Sequence, residues 1–404
     1  MTDNDTISSF IGAGEYPSLL ANPPVTELIP FNMPFLTGKE TEYIRKAVEL
    51  AHTSGNGYFT KECHSFFKKR YGFQHVLLTS SCTDALEMCA LLLDLGPSDE
   101  VIVPSYTFVS TANAFALRGV RLRFADSLAT SPNIDPASIE RQITPATKAI
   151  VVVHYAGVAC DMDAIMKISH RYSIPVIEDA AHSIESCYND RPLGSIGHLA
   201  TFSFHETKNV ISGEGGMLVV NDKRFIARSE VLWEKGTNRT AFARGEVQKY
   251  LWLDLGSSFL PSDLIAAFLL AQLEEIEHIQ AQRISVWKEY LKHLSPLIES
   301  GHLSIPNQPS YSTQNGHLFA IITKSAAERT ALMEYLKAHL VSAVFHYLPL
   351  HLSPFASRYG EPEDLPNATR YGECLLRLPL FYKLPLLHVQ YICQLIRAFF
   401  EKSR

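Results

Sequence analysis

The sequence predicts an α/β protein with a large domain on a mostly parallel sheet and a smaller C-terminal α/β domain. Three observations carry that expectation. After Gly72, strand-like and helix-like stretches alternate in steps too long for hairpins, the pattern of crossover connections. Several strand candidates, such as "EVIVPS" and "KAIVVVHYAG", are continuous apolar runs, as expected of strands buried on both faces. The alternation then stops at a long amphipathic run, about 262–294, and a different mixture follows it. With 404 residues, 46% hydrophobic and 19% charged, the chain has ample material for two lobes of ordinary globular composition.

Residues 1–28, containing "YPSLLANPPVTEL", read as an extended arm added before the large domain, which spans 29–294; the small domain spans 295–404. "TGKETEYIRKAVELAHTSG" opens with a capping box of Thr37 and Glu40, and Ile44, Ala47, Val48 and Ala51 fall on one helical face. "HVLLTS" is a strand followed by a helix over 85–95, and "EVIVPS" is followed by one over 109–117. Then come the strand "VRLRFAD", the helix "PASIERQI", the strand "KAIVVVHYAG", the helix "MDAIMKISHRY" and the strand "IPVIEDAA". "ATFSFHE" and "GGMLVVND" succeed each other without a long helix, which predicts one antiparallel excursion. In the small domain "HLFAIIT" reads as strand and "RTALMEYLKAHL" as helix.

The charge of −6 leaves no basic footprint for nucleic acid. Cys63, Cys82, Cys89, Cys160, Cys187, Cys374 and Cys393 form no C-x-x-C pair, which suits reduced thiols in a cytoplasmic protein. The first residues lack a basic and apolar leader pattern, and no run of about 18 apolar residues suggests a membrane span. The histidines lack metal-ligand spacing, and "GEGG" precedes a strand rather than a helix, so neither a metal nor a dinucleotide site is expected.

Polar clusters sit at the carboxyl ends of the predicted strands, where sites of such sheets collect. "SSCTDAL" joins a strand to a helix N-terminus, a seat for phosphate in which Ser81 and Thr83 add donors; plain N-capping is the ordinary alternative. The Asp of "VIEDAAH" suits a protonated ring nitrogen, with a cap on the next turn as the ordinary reading of the motif by itself. Phe108 in "SYTFVST" is either a ring stacker or core. Lys208, between "SFHET" and a glycine bend, is a solvated lysine or a Schiff-base lysine of depressed pKa. Together a phosphate seat, a ring stacker, an acid and a lysine describe a pyridoxal 5'-phosphate site, with the glycines turning the backbone so that Lys208 faces the pocket.

From about Ile29 to the C-terminus, "SSCTDALEM", "DEVIVPSYTFVSTANA", "VIEDAAH", "SFHETKN" and "GEGG" together resemble the nucleotide-sugar aminotransferases of the DegT type. The resemblance implies an aspartate-aminotransferase-like architecture (PLP fold type I) and a homodimer whose subunits share the active site. It implies that Lys208 and Asp179 are catalytic, Lys208 holding the cofactor and Asp179 pairing with its ring nitrogen. It also implies that Phe108 stacks on the ring, that His182 lies near the cofactor hydroxyl, and that Cys82, Thr83 and Ser203 hold the phosphate. Pyridoxamine 5'-phosphate is the implied intermediate and glutamate the implied donor. "VHYAGVACDMD", "KGTNRTAFARGEV" and "VFHYLPLH" are most similar to members that aminate a dTDP-4-keto-6-deoxy sugar at C4. These segments offer Arg239, Arg244, His346 and Tyr347 for a diphosphate and sugar hydroxyls, or as ordinary loop and packing residues. One departure is Leu260, where many relatives carry an Asn donated to the neighbouring subunit's phosphate; Ser257 or Ser258 is the candidate substitute. A C3-aminating transaminase and a non-catalytic PLP-binding regulator are the alternative readings. A related dehydratase class carries His in place of the lysine, and Lys208 counts against it.

Overall fold

A computed structural model describes residues 25–360 and 364–402, so most of the predicted N-terminal arm lies outside the described residues. The helices α1 (Glu40–Glu49) and α2 (Tyr58–Tyr71) lead into β1 (Val76–Thr79). The alternation then runs α3 (Cys82–Leu92), β2 (Glu100–Pro104), α4 (Ser110–Ala116), β3 (Arg121–Ala125), α5 (Pro136–Gln142), β4 (Thr147–Val153), α6 (Met162–Tyr172) and β5 (Val176–Asp179). A short hairpin, β6 (Cys187–Tyr188) and β7 (Arg191–Pro192), precedes β8 (Leu199–Ser203) and β9 (Gly216–Val220). Next are α7 (Ile226–Trp233), α8 (Arg239–Ala243), α9 (Asp263–Leu273) and α10 (Ile276–Glu299). The C-terminal part holds β10 (Phe319–Ile322), α11 (Ala326–Ala338), β11 (Val344–Phe345), α12 (Pro366–Cys374), β12 (Leu375–Leu378) and α13 (Leu386–Lys402).

The large sheet has the order β1-β9-β8-β5-β4-β2-β3. Only β9 runs against the rest, pairing antiparallel with both β1 and β8, which is the excursion the sequence predicted. Every other strand of this sheet therefore ends at the same edge. Apolar side chains of the central strands, Val101, Val151 and Ile177 on one face and Ile102, Ile150 and Val176 on the other, are fully buried under helices. Trp233 of α7 is buried and donates its indole N–H to the Leu78 carbonyl at 2.6 Å, which pins β1 just before the Ser80–Cys82 turn.

The second sheet, β10-β12-β11, is antiparallel and has its own core of Phe319, Leu332, Leu336, Leu376, Leu378 and Ile392. Val25 and Ile29 pack into that core, and Ile29 pairs with the Val341 segment through hydrogen bonds to Leu340 and Ser342. Position 29, placed with the large domain by the sequence reading, thus packs with the C-terminal core, and that core already takes in Val286 of α10.

Three local expectations differ from what is observed. The run over 262–294 is two helices, because the chain leaves helical hydrogen bonding around Glu274 and Glu275 before α10 begins. On α1, Ala47 is buried as expected but Val48 is 56% exposed, since α9 covers a narrower stripe than the apolar pattern offers. The capping box is shifted: the Glu40 carboxylate accepts from the N–H groups of Thr37 and Gly38 at 2.7 and 2.9 Å, and Thr37 Oγ1 accepts from Lys39.

Candidate active site

The carboxyl edge of the large sheet and the second sheet enclose a cavity of about 640 Å³. Its floor comes from the ends of β1, β5 and β8 and the turn after β2; its roof comes from residues 317–318, 345–347 and 377–380. The volume lies within the range of pockets that bury a small organic ligand.

At one end, α3 begins at Cys82 behind its N-cap Ser81, whose Oγ accepts the Asp84 N–H at 3.0 Å. The first-turn N–H groups of a helix lack helical acceptors and carry the positive end of its dipole. Thr83 donates its hydroxyl to Ser110 at 2.9 Å, which fixes the side chain on the cavity wall. Burial raises the Cys82 thiol far above its usual range, so it is a neutral wall residue. The opposite strand β9 approaches this turn so closely that a Cβ on Gly216 would lie 2.3 Å from the Ser81 carbonyl carbon. Only glycine fits there.

Asp179, the last residue of β5, is 4% exposed and points into the same cavity. Thr111 donates to its Oδ2 at 2.7 Å and the Ala181 N–H to its Oδ1 at 3.2 Å. Burial raises its pKa, against the pull of these two donors and of the Lys208 charge.

Lys208 follows a tight turn in which its N–H donates to the His205 carbonyl at 2.9 Å. The ammonium lines the cavity and makes no ion pair among the described residues. Burial holds its pKa down at about 8; Asp179 opposes the shift and the charge of Arg377 adds to it. Asn209, the next residue, is anchored by the Asn315 carbonyl at 2.9 Å and fixes the lysine's backbone.

Three imidazoles form one wall. His182 stacks on His317 with centroids 4.2 Å apart, and the ring of His346 lies 6.0 Å from His182. The Ala156 N–H donates to His182 Nδ1 at 3.3 Å, leaving Nε2 as the N–H of a neutral ring. His317 Nδ1 bonds Asn209 Oδ1 at 2.8 Å and His346 Nδ1 bonds the Tyr155 hydroxyl at 2.8 Å. Burial, reinforced by nearby cationic groups, pushes all three well below the usual histidine range.

The structure brings Cys82, Thr83, Phe108, Asp179, His182, Ser203, Lys208, His346 and Tyr347 to one cavity. Phe108 is 56% exposed, its ring 6.2 Å from Tyr347, so a face remains open for stacking. Arg239 and Arg244 do not join them. Both are exposed on or beside α8, and Arg244 is held by Glu230 and Glu246 at 2.8 and 2.7 Å. Ser257 and Ser258 also stand outside the cavity. Leu260 packs into the crease by Gly55, and Asp263 caps α2 by accepting from the Phe59 and Thr60 N–H groups at 3.1 and 2.9 Å.

Sequence reasoning did not single out Thr111, His317 or Arg377. Arg377 carried a signal: it is the one charge inside the apolar stretch "CLLRLPLF". Thr111 and His317 carried none, because their significance arises only from what lies across the cavity.

The mostly parallel large sheet, its single reversed strand and the second sheet closing over the strand ends define the aspartate-aminotransferase architecture, PLP fold type I. The DegT/DnrJ/EryC1/StrS aminotransferase family model matches residues 35–397, and the chain belongs to that family. It is similar to the aminotransferase TlmJ from Streptoalloteichus hindustanus at 29% identity and a TM-score of 0.86, over 93% of this chain and 100% of that one. It is also similar to S. venezuelae DesV, solved in complex with a ketimine intermediate, at 27% identity and a TM-score of 0.84, over 93% and 99% of the two chains. Spr1654 from Streptococcus pneumoniae in its PLP form has the same fold at 24% identity and a TM-score of 0.85, over 93% and 100%. Among the described residues no helix is long and apolar enough to cross a membrane.

Proposed function

We propose that this chain is a pyridoxal-phosphate-dependent sugar aminotransferase. It takes the amino group of glutamate and delivers it to the C4 carbonyl of dTDP-4-keto-6-deoxyglucose, giving dTDP-4-amino-4,6-dideoxygalactose. The observation that carries the reading is Lys208, held at about 8 in a cavity with a buried carboxylate and a helix N-terminus. DesV, similar to this chain and solved in complex with a ketimine intermediate, supports the chemistry.

The residues fit the cofactor. The first turn of α3 with the Ser81 and Ser203 hydroxyls offers donors to a phosphate, and Thr83, turned to Ser110, lies beside them. Asp179 offers a carboxylate to a ring N–H, the Phe108 face offers a stacking surface, and His182 Nε2–H offers a donor to the ring hydroxyl. Bound pyridoxal phosphate supplies an electron sink for the bond broken at the donor Cα.

The protein does the rest. Asp179, oriented by Thr111, favours a protonated ring by charge. Lys208 Nζ, with its low pKa, would take the Cα proton as a base and then hand it on as an acid. The neutral imidazole of His346, with Tyr347, lines the space for the sugar without competing for that proton. A second copy completes the site. Tyr250, Leu251, Trp252, Leu253 and Leu255 are an exposed apolar run next to α8, which a partner subunit covers, bringing Arg239 to the nucleotide's diphosphate.

The test incubates the protein with cofactor, glutamate and either dTDP-4-keto-6-deoxyglucose or its 3-keto isomer, and locates the new nitrogen by NMR. Nitrogen at C4 is expected. Product from the 3-keto sugar alone would overturn the assignment, and no product from either, with no bleaching by glutamate, would leave a non-catalytic binding protein.

A further inference from the structure

Asn209, the residue after Lys208, is buried in a cluster of amides that join three segments of the chain. Its Nδ2 donates to the Asn315 carbonyl at 2.9 Å and to Gln280 Oε1 at 3.1 Å. A backbone carbonyl can only accept, so the amino end of Asn209 is the end turned to it. Gln280 Nε2 is turned to the same carbonyl, which leaves its Oε1 to accept. Asn209 Oδ1 is then the atom that lies 2.8 Å from His317 Nδ1. An amide oxygen has no proton to give, so the proton of that bond belongs to Nδ1. The other tautomer would set two lone pairs against each other where no water relieves them.

The backbone around the ring is held as firmly. Asn315, fully buried, donates Nδ2 to the His182 and Ile184 carbonyls at 2.7 and 2.9 Å, and its Oδ1 accepts the His317 N–H at 3.0 Å. Arg283 of α10 donates to the Gly316 and His317 carbonyls at 3.1 and 2.7 Å. One asparagine thus sets the stack of His182 on His317, and the other sets which nitrogen of His317 carries the proton. Burial pushes this ring well below the usual histidine range, so near neutral pH Nε2 keeps its lone pair.

Building on the aminotransferase reading, we infer that Asn209 is a positioning residue that locks His317 in the Nδ1–H form, and that His317 Nε2 receives the C3 hydroxyl of the keto sugar. His317 lines the cavity and the charge of Lys208 bears on it, so the ring stands near the reacting lysine. The groups that arrive there sort by what they can give. Carboxylates of the amino donor carry no proton and are repelled by a lone pair. The cofactor's hydroxyl is served by His182, whose Nε2 is a donor. A sugar hydroxyl remains, and C3 is the hydroxyl-bearing carbon next to the carbonyl at C4. The stacked rings therefore present unlike edges, His182 giving a proton where His317 takes one.

Two measurements on the holoenzyme test this. Long-range proton–nitrogen correlation spectra of protein made with isotope-labelled histidine, assigned with His317→Gln, should show His317 protonated at Nδ1 alone. In Asn209→Ala the proton should appear at Nε2 as well. A wild-type proton on Nε2 would overturn the inference whatever the kinetics. The second measurement compares kcat/KM for dTDP-4-keto-6-deoxyglucose and its 3-deoxy analogue with glutamate in excess. The wild type should prefer the hydroxylated sugar by about 10–100-fold. The preference should shrink to within about threefold in His317→Phe, which keeps a flat ring without the nitrogens, and fall between in Asn209→Ala. A full preference in a folded His317→Phe protein would overturn the hydroxyl assignment. If the Lys208 midpoint near 8 also moved down in that variant, the lone pair would serve the lysine instead. Absence of bleaching by glutamate in the wild type would overturn the aminotransferase reading beneath the inference, with the tautomer still read by NMR.

Discussion

Glu178 and Asp179 are neighbours in β5, and the pleat turns them to opposite faces of the same sheet. Glu178 faces a closed interior. Its carboxylate accepts from His154 Nε2 at 3.0 Å and from the N–H groups of Gly194 and Ile196 at 2.8 Å each, with Gly197 a fourth donor. Although burial works against its charge, His154 and these N–H groups hold its pKa below the ordinary glutamate range. Asp179 faces the cavity with two donors only, and its pKa is raised. A saturated buried acid is architecture, whereas a buried acid with spare acceptor capacity beside a cavity is poised for a ligand. Sequence shows two adjacent acids and cannot tell them apart.

That contrast can be broken by mutation. The largest effect falls on the cavity side but beyond the pair: Lys208→Ala should lower turnover by about 10⁴-fold without loss of stability, as measured by single-turnover kinetics and urea unfolding. Retained transamination would remove Lys208 from the chemistry. Glu178→Gln should cost about 3–5 kcal/mol in the same urea assay, because it leaves four donors facing an amide that meets them poorly. Its folded fraction should turn over within about threefold of wild type. Asp179→Asn should do the reverse, losing about 10²-fold in the proton-transfer step for less than about 1 kcal/mol of stability. Equal stability losses in the two variants would erase the distinction.

A smaller change sharpens it. Thr111→Val removes one donor to Asp179 and should cost about tenfold in the same step, a loss the Asp179→Asn background should not repeat. The smallest expected effect is on Lys208 in the cofactor-free protein, read as the pH dependence of its reaction with an aldehyde. The free amine appears as pH rises through about 8. Asp179 favours the charged form, so Asp179→Asn should move the midpoint down; Arg377 disfavours it, so Arg377→Gln should move it up. A lysine depressed by burial also destabilises the fold while charged. That penalty is present below the folded midpoint near 8 and is relieved as pH climbs toward the ordinary lysine range.

The large domain was legible because its strands, buried on both faces, read as unbroken apolar runs closed by polar turns. "IPVIEDAA" placed Asp179 at a strand end from spacing alone. The break at Glu274–Glu275 was not legible, since both sides of it keep a helical pattern. The roof of the cavity was least legible. His317, just before β10, and Arg377, in β12, lie more than a hundred residues downstream of Lys208, and nothing local records that they meet it. The exposed Val48 shows the same limit in reverse: periodicity reports which face is apolar but not how wide a stripe the neighbour covers.

The stacked imidazoles have one further consequence, for the behaviour of the protein in a changing medium. Histidine is the side chain that ordinarily gains charge when a compartment drifts from pH 7 toward 5. Here burial, beside cationic neighbours, pushes His182, His317 and His346 well below the usual histidine range. A mild acid load therefore adds less positive charge to this wall than three solvated imidazoles would take up, and ligands that depend on its donors meet a steadier surface.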